Sequence, residues 1–109
     1  MIRIDHKPIS VNKAYTGKRY NTPEHRNWNN YVIWLLPNIK LPEPPFEIFF
    51  KFGLSSLNAD WDNNIKTTQD LLATKYKFND KLIRKGTVET EIVPKGKEYF
   101  EFEILHYEK

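Results

Sequence analysis

Apolar and polar positions along the chain mark four short strands and two helices. Ile2 and Ile4 alternate with Arg3 and Asp5, a strand that stops before Pro8. In the run FEIFFKFGL, Phe46, Ile48, Phe50 and Phe52 share one face while Glu47, Phe49 and Lys51 share the other, which predicts a strand buried on one side. Gly53 and the serines after it are expected to loosen the chain. Thr87 to Val93 and Tyr99 to Leu105 also alternate, and the link Pro94-Lys95-Gly96-Lys97 between them predicts a β-hairpin. Phe100, Phe102 and Ile104 would face inward, with Glu89, Glu91, Glu101 and Glu103 on the outer faces.

Helical spacing occurs twice. Thr22 is a suitable N-cap, Pro23 fits the first helical position and Glu24 lies near the positive end of the dipole. Trp28, Tyr31, Val32, Leu35 and Leu36 then form an apolar stripe, and Pro37 ends it. A second helix is expected over 62–73, footed on Ile65, Leu71 and Leu72. The proline-rich PNIKLPEPPF between the first helix and the Phe-rich strand predicts an extended connection, not a domain boundary. The pattern as a whole is that of one α/β (α+β) domain over residues 1–109.

Composition narrows the class. With 39% hydrophobic residues, 28% charged and many aromatics, the chain is not of disordered type. At 109 residues it hides only about two-thirds of its unfolded surface, so support from a partner chain is expected. The absence of cysteine excludes disulfides and thiolate metal sites and fits a reducing compartment. The start MIRIDHK lacks the apolar run of a signal peptide and no segment is long enough to span a bilayer, so a cytoplasmic protein with no membrane partner is expected. No phosphate-cradling glycine loop is present, and no organic cofactor is expected. His6, His25 and His106 have no metal spacing and are expected at the surface.

Charge is uneven. Residues 1–57 carry a net +4, residues 58–83 are balanced, and the remainder sums to −1. A basic front half beside an acidic cluster suits a polyanion held near a metal, although ordinary solvated surface charge would look the same. The front half offers Lys7, Lys13, Lys18, Arg19 and Arg26 for phosphates, with Tyr15 for stacking and Asn12 nearby.

The chemistry concentrates in NADWDNNIKTTQDLLATKYKFNDKLI, residues 58–83. Asp60 and Asp62 point to one side of an extended backbone and could share a hard cation. A helix starting near Asp62 would stack Asp62, Lys66 and Asp70 at i, i+4 and i+8. Asp80 is a candidate third oxygen ligand. It would need the seven residues 74–80 to run back, nearly taut, along a helix of about 16 Å. Mg²⁺ or Mn²⁺ held by these carboxylates, with Lys66 beside it, could hydrolyse a phosphodiester. A simple N-cap acid with Lys66 as its i+4 surface partner explains the first three residues equally well.

The order Pro8-Ile9-Ser10-Val11-Asn12-Lys13-Ala14-Tyr15, then Asp60-Trp61-Asp62-Asn63 with Lys66 and Asp70-Leu71, then Asn79-Asp80-Lys81-Leu82-Ile83, resembles the RusA-like endodeoxyribonucleases, which resolve Holliday junctions in bacteria and their phages. The resemblance spans nearly the whole chain. It departs at Asn79, where many members carry a second acid, and at the bulky Trp61. It implies that Asp60, Asp62 and Asp80 bind catalytic Mg²⁺ and that Lys66 is catalytic. It also implies an intertwined homodimer on a small mixed sheet of about four strands with two main helices, nicking four-way junctions symmetrically in DNA recombination and repair. A non-catalytic DNA-binding or assembly module of the same fold, and a nuclease for other branched DNA, remain the alternatives.

Overall fold

The Phe-rich run becomes the centre of a four-stranded sheet. The computed structural model describes residues 1–10, 22–57, 61–62 and 64–108, and residues 15–16 and 20–21 in backbone only. In chain order the elements are β1 (Ile2–Ile4), β2 (Tyr15–Thr16), β3 (Tyr20–Asn21), α1 (Pro23–Leu35), β4 (Phe46–Leu54), α2 (Ile65–Tyr76), a 3-10 turn (Asp80–Leu82), β5 (Ile83–Ile92) and β6 (Tyr99–His106). The main sheet has the order β1-β6-β4-β5, and β2 pairs with β3 in a small separate ribbon. β6 is antiparallel to both β1 and β4, whereas β5 runs parallel to β4. The sheet is therefore mixed, with two helices among the described residues, as expected.

The expected hairpin does not form. Both of its runs are strands, but β4 lies between them. The reason is the company β4 keeps: none of its residues is exposed, which suits a strand with a neighbour on each side, while β5 is exposed along most of its length and suits an edge. The link from Val93 to Glu98 spans two inter-strand spacings, roughly 10 Å, well within the reach of six residues. It leaves β5 with Val93 N–H donating to the carbonyl of Leu54, the last residue of β4, at 2.8 Å, and turns at Gly96, where φ is 93°.

Both helices cover the same face. Trp28 meets Phe100 with ring centroids 6.4 Å apart, and Tyr76 meets Phe102 at 6.2 Å. Phe52, Phe100 and Phe102 are fully buried beneath them, and each such side chain contributes about 2–3 kcal/mol of transfer free energy. Gly53 does not loosen the chain; it continues β4 to Leu54.

α1 begins as expected, with Thr22 Oγ1 accepting from His25 N–H at 3.1 Å and Pro23 at the start. Its buried stripe is narrower than expected. Trp28, Val32 and Leu36 are buried, but Tyr31 is 56% exposed and Leu35 41%, and Trp34 stands almost fully in solvent. One helix lying on one sheet hides only a single line of side chains, and His25 is on that line. The histidine is therefore buried, not at the surface, with its Nε2 3.1 Å from Asn29 Nδ2. No helix among the described residues is long and apolar enough to cross a membrane.

Candidate functional site

The acidic stretch occupies the crossover of a β-α-β unit. It leaves the C-terminal end of β4, enters α2, and returns through the 3-10 turn to the parallel strand β5. Ligand sites in such units gather outside the carboxyl ends of the strands, next to the helix N-terminus.

α2 starts at Ile65, three residues later than expected, because Asn64 takes the N-cap position with φ −113° and ψ 0°. Ile65 N–H donates to the Asp62 carbonyl at 3.3 Å, and Thr68 N–H to that of Asn64 at 3.2 Å. Asp62 is thus an exposed carboxylate in the turn before the helix, near its positive end. Lys66 Nζ lies 3.4 Å from Asp70 Oδ2, the expected i, i+4 pair, and is largely exposed.

The return to Asp80 is not taut. α2 runs on to Tyr76, and Lys77 then takes a left-handed conformation with φ 57°, its N–H turned back to the Ala73 carbonyl. The chain doubles back, and Asn79 Oδ1 caps the 3-10 turn through Lys81 N–H at 2.9 Å. Asp80 ends with Oδ2 at 3.5 Å from Gln69 Nε2. Gln69 follows Lys66 by three positions and so shares its face of α2. Its role was not apparent beforehand, although that i+3 spacing is the signal that could have found it.

Asp80 therefore reaches the Lys66 and Asp70 side of the helix, at the level of Gln69. Gln69 comes seven positions after Asp62, beyond the turn and about 6 Å of helix rise from Ile65. Among the described residues no three of His, Cys, Asp and Glu gather closely enough to hold a metal. Asp62, Asp70 and Asp80 do not form such a site by themselves, and Asp60 lies outside the described residues. The hard oxygen donors on this side suit Mg²⁺ or Mn²⁺ in kind.

Of the residues expected to touch DNA, Lys7 and Arg26 are exposed. Asn12, Lys13, Lys18 and Arg19 lie outside the described residues, and Tyr15 is described only as backbone paired with Asn21.

One feature had no counterpart in the sequence pattern. A cleft of about 660 Å³ opens where the C-terminal end of β4 meets the N-terminus of α2, floored by Ile9, Trp28 and Leu54. Trp28 Nε1–H donates to the Lys7 carbonyl at 2.8 Å, and Thr67 Oγ1–H to that of Ile9 at 2.7 Å, which fixes the 7–9 segment as one wall. On the opposite rim Ser55 Oγ–H donates to Glu98 Oε2 at 2.7 Å, and this bond holds the Glu98 carboxyl below the usual glutamate range.

The fold and crossover define a two-layer α/β domain with a mixed four-stranded sheet and a polar crossover site. No protein-family model matches the chain, and no curated protein matches it.

Proposed function

We propose that this chain is a divalent-metal-dependent endonuclease for branched DNA, working as a homodimer that nicks four-way junctions in the manner of the RusA-like resolvases. The observation that carries this reading is the approach of Asp80 to Gln69, on the face of α2 that bears Lys66. Asp80 and Gln69 are eleven positions apart and are brought together by the reversal of the chain at Lys77.

Asp60, Asp62 and Asp80 would hold Mg²⁺ or Mn²⁺, which when bound supplies an activated water and a counter-charge for the phosphoryl oxygens. Lys66 is long and exposed enough to leave Asp70 and neutralise charge on the scissile phosphate. Gln69 orients the Asp80 carboxylate. Lys7 and Arg26 are exposed cations suited to flanking phosphates.

The test is cleavage of a synthetic four-way junction by the full chain with Mg²⁺ or Mn²⁺. Paired nicks that disappear in Asp62→Asn while binding persists support the reading; binding without nicking by the unsubstituted chain overturns it. Comparison with flap and three-way substrates separates a junction resolvase from a nuclease for other branched DNA.

A second reading is a non-catalytic DNA-binding or assembly module of the same fold, for which the exposed cations Lys7 and Arg26 would suffice. Metal titration discriminates the two. An enzyme takes up Mn²⁺ saturably and loses that uptake in Asp60→Asn, whereas the module takes up none.

A further inference from the structure

The cleft beside the crossover has a chemistry of its own. Its floor is apolar, its size falls within the roughly 300–1,000 Å³ usual for small-ligand pockets, and its mouth carries Tyr31 as an exposed aromatic. The imidazole of His6 lies 5.0 Å from the Tyr31 ring, centroid to centroid, at an angle of 47°. Against this apolar surface stands one polar group out of place. Asn64 is only 4% exposed, makes no side-chain cap bond to α2, and lines the cleft. A ligand edge that pairs with this carboxamide replaces water there, for a net gain of about 0.5–1.5 kcal/mol per hydrogen bond.

A carboxamide presents an acceptor and two donors in one plane, the complement of a heterocyclic base edge. Carboxylates decide what kind of ligand is admitted. Glu24 and Glu98 line the cleft together with the exposed Lys7, so the carboxylates favour a neutral ring inside and the lysine is left for a phosphate at the mouth. From these observations we infer that the cleft takes an unstacked nucleobase of DNA, ring on the Trp28 side and edge against Asn64, with its phosphates left outside. The choice of a nucleobase over other flat heterocycles rests on the DNA reading proposed above. Asn64 stands two residues from both Asp62 and Lys66, so a base held here would anchor the strand beside the proposed cutting site. It would give the protein a preference for sequence or for unpaired nucleotides.

The test needs neither metal nor cleavage. The Trp28 indole N–H, hydrogen-bonded to the Lys7 carbonyl, is a reporter in the cleft wall, and its NMR resonance is followed while the four deoxyribonucleosides are titrated separately into the full chain. At least one nucleoside moves it saturably, and neither inorganic phosphate nor deoxyribose 5-phosphate does. Asn64→Ala weakens that binding about tenfold or more, while the unliganded Trp28 signal persists. Because only the backbone carbonyl of Asn64 serves α2, this substitution leaves the helix its bonds. Tyr31→Ala, at an exposed position, weakens the same binding severalfold. Absence of any nucleoside effect, an equal effect of phosphate, or unchanged affinity in both variants overturns the inference. Nucleoside binding by a chain that never nicks DNA upholds the cleft and sinks the nuclease; nicking without nucleoside binding does the reverse.

Discussion

The ring of Tyr99 lies across Gly53 so closely that a Cβ built on the glycine would stand 2.2 Å from Tyr99 Cε1. Tyr99 is held there from two other sides, by its hydroxyl donating to Glu91 Oε1 at 2.5 Å and by the Arg3 guanidinium 3.8 Å above the ring. One side chain thus spans β6, β4 and β5 on the face opposite α1 and α2. Gly53→Ala must displace this ring, and overpacking of this kind costs about 1–3 kcal/mol. Urea unfolding of the variant should show that loss, and Tyr99→Ala in the Gly53→Ala background should relieve the clash and give less than additive destabilisation.

Thr67 and Thr68 are neighbours, both fully buried in α2, with opposite expected responses to the same substitution. Thr67 Oγ1–H donates to the Ile9 carbonyl at 2.7 Å, whereas Thr68 Oγ1 has no partner among the described residues. Thr67→Val strands the Ile9 carbonyl and should cost about 1–3 kcal/mol. Thr68→Val removes an unpaired hydroxyl at almost constant volume and should be neutral or stabilising by up to about 1 kcal/mol. Thermal unfolding of the two variants side by side checks both signs.

Tyr76 links α2 to the segment after α1 through its hydroxyl, which donates to the Pro37 carbonyl at 2.7 Å. Burial pushes its phenol up to about 12. An unfolded tyrosine ionises near pH 10, so the stabilisation from keeping this phenol neutral is complete below about 10. It is lost as pH rises through about 12. Tyr76→Phe should flatten that alkaline decline, measured as stability against pH between about 9 and 12.

Glu98 behaves in the opposite sense. Its carboxyl is lowered by the Ser55 hydrogen bond, so its contribution is present above the ordinary glutamate value and fades as pH falls through the depressed one. Ser55→Ala should move the acid limb of the stability profile to higher pH. Direct titration of the Glu98 carboxyl by NMR should show the same upward movement.

On the proposed enzymatic reading, Lys66→Ala should lower the rate of junction nicking by about 10²–10³-fold with little change in junction affinity, since a cation facing the transition state acts on the chemical step. Gln69→Ala, acting through Asp80, should lower the rate less and raise the Mn²⁺ concentration needed for half-maximal nicking. Single-turnover cleavage across a metal series measures both.

Local structure was largely legible before any coordinates. The period-two run from Phe46 and the Thr22-Pro23 start of α1 were read correctly because a strand's buried face and a helix cap are written within a few adjacent residues. The mixed sheet with two helices was expected too, from element types and the family resemblance together. The candidate site was legible as residue types in order, Asp62, Lys66 and Asp80, but not as a place.

Only the tertiary structure decided that β4 separates β5 from β6, that His25 is buried, that Asp80 returns to Gln69, and that Asn64 faces an open cleft. The physical reason is common to all four. Side-chain periodicity states which face of an element is hidden, but backbone pairing and layer packing are nearly blind to sequence, so which neighbour does the hiding is settled by competition among all the elements for the same core.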